Sequence, residues 1–450
     1  MSSMDEIREW LRQMLPDLLA EHQVPGAVVA VGAGGETAEA AAGLLNTATG
    51  VEVTADSLFQ IGSITKVLTA TLVMQLVDEG KVELDAPVRA YLPTFDLAGG
   101  RITVRQLLCH VAGFEGDVFT DTGKGDDCLE RYVATLGGVE QLFEPGEMFS
   151  YNNAGFCVLG RIVEVVRGEP FDACVRAHLF TPLGMTHAAN DPYEAILHRV
   201  AVGHIKGAPT PVWAMARSNA PAGSMLAMRA RDLLAFARMH LAGGLGVLST
   251  ASVTAMRRPQ VTLPDIGWGT AWGLGWELFG RTAFGHQGST IGQSALLRVA
   301  PERDTALVIL TNGGNPEPVF REITRHVLGE TEPPAPVPEP LVNASRYTGT
   351  YASSTGETTV SQDEEGRLWL EHVPLGVTAD LDEFPYRTEL LAWRGDSLRP
   401  AGPEGVPVAF LGDDGTGHAA YLHTGRATPM ISSCGRTNAG GQVPRTRRTS

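Results

Sequence analysis

Ser63 and Lys66 are the residues whose types and spacing most directly indicate chemistry. The apolar segment after Gly62 has the i, i+3, i+4 spacing of a helix, so the two residues lie one turn apart on the same face. A serine hydroxyl becomes a nucleophile when a base removes its proton, and lysine can be that base where apolar neighbours favour its neutral form. Free backbone N–H groups at a helix start also suit a developing anion. The pair therefore predicts a lysine-activated serine.

An N-cap serine followed by a surface lysine is the alternative interpretation of this spacing. The chain has only four lysines against 31 arginines, so arginine supplies most of the surface positive charge. Arginine does not release its proton in proteins, whereas lysine can. A lysine kept inside an apolar helix of this chain favours catalysis, and the capping alternative stays open at this point.

Tyr151 and Asn153 form a second motif with polar groups that could serve a reaction. In an extended segment, side chains two residues apart point to the same face. A phenol can relay a proton, and an amide can hold a carbonyl group in place. A turn-capping pair is the alternative.

The third motif is His286-Gln287-Gly288, followed by Ser289, at a predicted turn between strands. Such a histidine would bring backbone N–H groups and a cationic or donor side chain beside a bound acyl group, although a structural histidine is the alternative. The preceding stretch is rich in tryptophan, which can wall an acyl pocket or pack an edge strand; its members are Trp268, Trp272 and Trp276.

Composition excludes several classes of protein. The net charge of −16 argues against nucleic-acid binding, because phosphates require patches of Lys and Arg. The five cysteines are odd in number and lack C-x-x-C spacing, and the histidines lack metal-ligand spacing, so we expect neither disulfides nor a metal or other cofactor. We find no 18-residue apolar run and no signal-peptide pattern, so we expect a cytoplasmic protein without a membrane partner.

Periodicity and composition predict the organisation of the chain. A long segment over 1–329 is followed by a Pro- and Glu-rich linker over 330–342, a small antiparallel β-barrel over 343–433 and a disordered tail over 434–450. The Gly- and Asp-rich stretch over 114–127 is a loop that either borders the site or is a plain surface excursion. The other predicted elements are helices over 4–21, 154–166 and 230–241, and strands over 26–34, 37–44, 282–285, 294–299 and 305–311.

The motifs S-x-x-K, Y-x-N and H-x-G occur in this order, and with their spacing the chain resembles the serine β-lactamase and penicillin-binding-protein superfamily over residues 5 to 328. The similarity is greatest to class C-like esterases, D-aminopeptidases and acyltransferases, in which His-x-Gly often replaces Lys-Thr-Gly. The resemblance implies an α+β fold with an antiparallel sheet flanked by helices. The barrel resembles a lipocalin-like domain. Further matching stretches lie at 107–113, 149–155 and 222–225.

The resemblance also implies a mechanism. Ser63 attacks a carbonyl group after Lys66, helped by Tyr151, takes its proton. Tyr151 then passes a proton to the leaving group, which gives an acyl-enzyme on Ser63.

The remaining site residues are implied to bind and polarise the substrate. The oxyanion would lie between the backbone N–H groups of Ser63 and Ser289, next to Gly288. Asn153 would orient the acyl chain, and His286 would bind a carboxylate or polarise the site.

The resulting prediction is a serine hydrolase that cleaves a small-molecule or peptidyl ester or amide, of the carboxylesterase or D-amino-acid peptidase type. One alternative is an acyltransferase, or a peptide-cyclising thioesterase of the penicillin-binding-protein type in natural-product biosynthesis, with a carrier-bound or amine acceptor. A receptor that binds acyl or peptidyl ligands without turnover is an alternative from another class. Histidine at position 286, in place of lysine, argues against a true β-lactamase.

Overall fold

A computed structural model describes residues 3–330, 341, 343–376, 385–402 and 405–432. The predicted linker, apart from residues 330 and 341, and the predicted tail lie outside these residues. The α-helices are α1 Met4–Glu21, α2 Thr65–Asp78, α3 Val104–Leu108, α4 Cys128–Thr135, α5 Asn153–Arg167, α6 Phe171–Val175, α7 Thr181–Leu183, α8 Pro192–Ala195, α9 Ala230–Leu241, α10 Thr250–Met256 and α11 Pro316–Leu328.

The strands up to residue 311 are β1 Gly26–Ala33, β2 Glu36–Asn46, β3 Val51–Glu52, β4 Phe59–Gln60, β5 Ala188–Ala189, β6 His204–Ile205, β7 Ala208–Pro209, β8 Ala227–Met228, β9 Val261–Thr262, β10 Ala271–Trp272, β11 Glu277–Phe279, β12 Ala283–Thr290, β13 Gln293–Ala300 and β14 Thr305–Thr311. The later strands are β15 Gly349–Ala352, β16 Gly356–Gln362, β17 Leu368–Pro374, β18 Tyr386–Arg394, β19 Ser397–Pro400, β20 Val408–Leu411, β21 Tyr421–His423 and β22 Ala427–Ser432. The chain divides into two compact units, Met1–Pro264 with Trp268–Ala335, and Pro336–Ser450 with Asp265–Gly267.

The first unit is built on an antiparallel sheet with strand order β3-β2-β1-β14-β13-β12-β11-β10-β9. The predicted strands over 26–34 and 37–44 form the antiparallel hairpin β1–β2, and β14 pairs with the other edge of β1. Helices α1 and α11 pack on one face of the sheet, and α2, α5 and α9 lie in the larger core on the other face. This arrangement confirms the predicted α+β fold.

Helix α2 is buried on every side rather than along one stripe. All residues from Thr65 to Gln75 are buried, including the polar ones. A threonine is tolerated there because its hydroxyl can bond back to the helix, as when Thr71 Oγ1 donates to the Val67 carbonyl at 2.8 Å. A helix without a solvent face belongs in the interior, so Lys66 is carried into the core.

The second unit contains the predicted antiparallel barrel. Strands β15 to β22 close on themselves in chain order, and β15 pairs with β22. The interior is filled by apolar and aromatic side chains, as expected for a small barrel; they include Tyr351, Leu370, Leu390 and Phe410. The domain boundaries and any closer similarity to lipocalins stay predictions.

Among the described residues, we find no helix that combines the length and the apolar character needed to cross a bilayer. The compartment in which the protein works stays a prediction.

Candidate active site

Ser63 and Lys66 form a direct contact at the start of α2. Ser63 lies in a 3-10 turn over Gly62–Ile64 that leads into the helix. Lys66 Nζ donates hydrogen bonds to Ser63 Oγ at 3.0 Å and to the Ala222 carbonyl at 2.6 Å. The lysine is 0% exposed, which excludes the surface-lysine alternative. The N-cap residues of the 3-10 turn and of α2 are Ile61 and Ile64, so Ser63 does not hold the N-cap position that the alternative interpretation gave it.

Tyr151 lies next to Lys66. Its ring centroid is 4.8 Å from Lys66 Nζ, and the side chain is buried. A cation or amine over an aromatic face is attracted by the ring quadrupole. The structure thus brings together the three residues to which the resemblance assigns proton transfer.

His110 holds Tyr151 in this position, a role that sequence reasoning missed. The imidazole is buried and stacks on the Tyr151 ring, with centroids 4.3 Å apart. Its Nδ1 accepts the Asn152 N–H at 2.9 Å, and its backbone carbonyl accepts the Ser150 N–H at 2.8 Å. His110 itself has a φ of +58°, which is uncommon outside glycine. The signal in the sequence was its place in the stretch over 107–113 that matches the family.

Asn152 and Asn153 make different hydrogen bonds at the start of α5. Asn152 is the N-cap, because its Oδ1 accepts the Gly155 N–H at 2.7 Å. Asn153 is the first helical residue, and its Nδ2 donates to Asp117 Oδ1 at 2.7 Å. The expected extended segment therefore ends one residue earlier than predicted. The capping function considered for Tyr151 and Asn153 belongs to Asn152.

The third motif lies inside a strand and not at a turn. Strand β12 continues to Thr290, and Gln287 and Ser289 pair with residues of β13. The chain reverses only at Gly292, whose φ of +69° suits a tight turn. Our predicted strand end at residue 285 was therefore too early. Residues 286–290 are polar or glycine, so the sequence there lacks the alternation of apolar residues that would have indicated a longer strand.

Two glycines, Gly62 and Gly288, allow the backbone around Ser63 and the backbone of β12 to lie close together. A Cβ atom on Gly288 would lie 2.0 Å from the Ile61 carbonyl oxygen and 3.0 Å from Ser63 N. A Cβ atom on Gly62 would lie 2.6 Å from Ser289 N. Strand β12 thus runs against the 3-10 turn over Gly62–Ile64, here called the serine turn, at a distance that only glycine permits. The backbone nitrogens of Ser63 and Ser289 consequently lie on two segments in close contact, as the predicted oxyanion site requires.

His286 is buried and neutral. Burial, and next the charge of Lys66, lower the pKa of its imidazole to about 3. Its Nδ1 donates to the Gln287 carbonyl at 2.5 Å, which leaves Nε2 as a hydrogen-bond acceptor. The cationic role considered from the sequence does not fit this environment, whereas an acceptor role does.

Two of the three tryptophans wall this site. The Trp272 ring is 5.4 Å from that of His286, and the Trp268 ring is 5.7 Å from that of Tyr151. Trp276 instead packs on Phe284 in the core. Two walls of the site are therefore aromatic.

Replacing Gly288 with alanine is expected to lower kcat/KM by about 10²–10³-fold, the cost of losing an oxyanion donor. The new methyl group would push β12 away from Ser63 and separate the two nitrogens. The measurement is steady-state hydrolysis of p-nitrophenyl butyrate, with the melting temperature as a check on folding. The matched control is Gly137→Ala, where a Cβ atom would meet nothing within 4 Å. Equal activity of both variants would contradict the assignment.

The chain matches known proteins over most of its length. Residues 11–331 match the β-lactamase family model. The chain is 42% identical over 367 residues to penicillin-binding protein 4 of Amycolatopsis lactamdurans, covering 75% of this chain and 96% of that relative. The crystal structure of SurE superposes with a TM-score of 0.78 at 30% identity, over 95% of this chain and 100% of SurE. SurE has also been crystallised with D-Leu.

A second structural neighbour is the D-amino acid amidase of Ochrobactrum anthropi SV3. It has a TM-score of 0.60 at 25% identity, over 71% of this chain and 98% of the amidase. These comparisons confirm the resemblance that the three motifs indicated. The chain belongs to the β-lactamase family of serine hydrolases.

Proposed function

We propose that this protein cleaves an ester or amide through an acyl-enzyme on Ser63, with an acyl group derived from a D-amino acid. The observation that carries the proposal is the 3.0 Å hydrogen bond between Ser63 Oγ and the buried amine of Lys66. A nucleophile and a base within hydrogen-bond reach are the signature of covalent catalysis.

Acylation begins when the neutral form of Lys66 accepts the proton of Ser63 as Oγ attacks the substrate carbonyl carbon. The negative charge that develops on the carbonyl oxygen faces the backbone N–H groups of Ser63 and Ser289. The carbon–heteroatom bond of the substrate then breaks, and the leaving group takes a proton from Tyr151 or Lys66. The product of this step is an ester on Ser63.

Deacylation repeats these steps with an incoming nucleophile. Water gives hydrolysis, and an amine or alcohol gives acyl transfer or, within one peptide, cyclisation. Transfer is the second candidate, and the buried Nε2 of His286 suits the N–H or O–H of any of these nucleophiles, water included.

The names of two neighbours support the D-amino acid assignment. One is a D-amino acid amidase, and SurE has been crystallised with D-Leu. The aromatic walls formed by Trp268 and Trp272 suit an apolar side chain on that acyl group.

The test compares the p-nitroanilides of D-leucine and L-leucine, with and without glycinamide as acceptor, and follows the protein by intact mass spectrometry. We expect a transient adduct and a preference for the D form of at least about tenfold, since pocket fit discriminates by this order. Amide product that increases with glycinamide would identify a transferase. A lasting adduct without turnover would contradict the proposal and favour a receptor. A preference for the L form would contradict the D-amino acid assignment.

A further inference from the structure

A 3-10 helix over residues 217–222, here called the 217–222 helix, lies against Lys66. Its last residue, Ala222, has the carbonyl oxygen that accepts a hydrogen bond from Lys66 Nζ at 2.6 Å. The carbonyl of the preceding residue, Pro221, accepts a hydrogen bond from Thr69 Oγ1 at 2.8 Å. Lys66 and Thr69 lie one turn apart on α2. Two consecutive carbonyl groups of the 217–222 helix are therefore bonded to one face of α2.

The same end of the helix packs closely against the serine turn and α5. A Cβ atom on Gly223, the next residue, would lie 2.8 Å from Ser63 N. A Cβ atom on Gly160 of α5 would lie 2.3 Å from Pro221 Cγ. A shift of the helix would therefore change the backbone packing of Ser63 and the hydrogen bond of Lys66 together.

The guanidinium group of Arg217 anchors the beginning of the helix. Its Nη2 donates to the two carboxylate oxygens of Asp172 on α6 at 2.8 and 3.1 Å, and to Asp126 Oδ1 at 2.9 Å. Its Nη1 donates to the Lys124 carbonyl at 2.6 Å. The arginine side chain is 20% exposed. A planar fork of donors suits such a set of partners, and lysine lacks this fork.

The next two side chains of the helix bind the loop over 114–127. Ser218 Oγ donates to the Thr120 carbonyl at 2.8 Å, and Asn219 Nδ2 donates to the Val118 carbonyl at 3.2 Å. This loop is thus joined to the site, a question that the sequence left open. Hydrogen bonds within a 3-10 helix have poorer geometry than those within an α-helix. The position of the 217–222 helix therefore depends on its side-chain anchors.

We propose that the 217–222 helix positions Lys66 for proton transfer, and that Arg217 and Thr69 are positioning residues that hold its two ends. The proposal rests on the acyl-enzyme function proposed above, in which the neutral amine accepts the proton of Ser63. That amine has two N–H groups and one lone pair. With one N–H fixed on the Ala222 carbonyl, fewer directions are open to the lone pair, which must face Ser63 Oγ.

The first test measures single-turnover acylation of the full-length protein by p-nitrophenyl butyrate with enzyme in saturating excess. The rate constant then describes the folded, active molecules alone, so a loss of stability does not affect it. We expect Arg217→Met to lower this rate constant by about 10–100-fold, the order that a displacement of about 1 Å costs. The half-saturating concentration should stay within about threefold, because Arg217 acts through Lys66 and not on the substrate. Arg217→Lys, which keeps the charge and loses the fork, should give an intermediate rate constant.

Arg161→Met is the matched control. The Arg161 side chain is also 20% exposed and pairs with two carboxylates, those of Glu130 and Glu164. Its acylation rate constant should stay within about threefold of the wild type. Arg217→Met that acylates within the same range would overturn the proposal, because Arg217 would then only stabilise the fold. Equal slowing by Arg161→Met and Arg217→Met would overturn it as well.

Thr69→Val tests the other end of the helix and is decisive if Arg217→Met does not fold. Valine has nearly the shape of threonine without the hydroxyl, so the Pro221 carbonyl loses its donor. We expect acylation to slow by about 3–10-fold, the order of one net hydrogen bond. The control is Thr71→Val, an equally buried threonine of α2 whose hydroxyl donates to the Val67 carbonyl. Equal acylation rates of these two variants would overturn the proposal.

A second readout needs no turnover. The chain has only four lysines, so labelling with [13Cε]lysine gives four NMR signals, and Lys66→Met identifies that of Lys66. We expect this signal to move in Arg217→Met and Thr69→Val and to stay in Arg161→Met and Thr71→Val. An unmoved Lys66 signal in the first two variants would overturn the proposal. A failure of the acyl-enzyme function would instead appear as absent nitrophenolate release by the wild type, while the Lys66 signal would still respond to Arg217→Met.

Discussion

Ser63→Ala is expected to abolish acylation and to lower kcat/KM for p-nitrophenyl butyrate by about 10⁴–10⁶-fold, as when a catalytic serine is removed from other serine hydrolases. The hydroxyl oxygen is the atom that forms the acyl bond, and neither neighbouring backbone nor Lys66 can replace it in that position. Nitrophenolate release measures the rate, and intact mass spectrometry detects the adduct. The substitution removes one atom from a half-buried side chain, so the melting temperature should change little.

The matched control is Ser345→Ala, an exposed serine whose hydroxyl bonds only locally to Asn343. It should retain wild-type turnover and a wild-type adduct mass. An adduct of unchanged stoichiometry on Ser63→Ala would show that another residue is acylated, which would refute the assignment of Ser63.

Lys66→Met and Lys66→Arg are expected to lower kcat/KM by about 10²–10⁴-fold, the contribution of a positioned general base. Methionine has a similar length and no amine, and arginine keeps the charge but does not accept a proton. Methionine also leaves the Ala222 carbonyl without the lysine donor, so the free energy of unfolding should fall by about 1–3 kcal/mol. Stopped-flow acylation rates and urea unfolding separate these two effects.

Lys81→Met is the control, because Lys81 is half exposed and pairs with Glu79 on the surface. It should change neither rate nor stability by much, as is usual for an exposed ion pair. If Lys66→Arg acylated as fast as the wild type, a fixed positive charge would be sufficient. The role of Lys66 as a base would then be wrong.

The local part of the site could be predicted from sequence because helix geometry is local. Three residues along a helix give one turn, so S-x-x-K places an amine beside a hydroxyl whatever surrounds it. Helix α9 follows its predicted bounds for the same reason, and α5 does so to within a residue. The three motifs could be recognised in order through the family resemblance. The barrel could be predicted from its short alternating segments.

Contacts between distant segments could not be predicted in this way. Asp117 and Asn153 are 36 residues apart, and no periodicity or composition connects a loop carboxylate to a helix start. His110 beneath Tyr151 is a similar case, because its role depends on a stacking contact 41 residues away along the chain. The neutral state of His286 depends on burial by other elements and on the nearby charge of Lys66.

Sequence alone determined the kinds of groups available for catalysis and the spacing of Ser63 and Lys66 within one turn. Tertiary structure decided that the lysine is buried, that β12 lies against the serine turn, and that Asp117 bonds to Asn153. The physical reason is that hydrogen bonds within a helix turn follow from the backbone, whereas burial and charge at a site depend on which remote segments pack there.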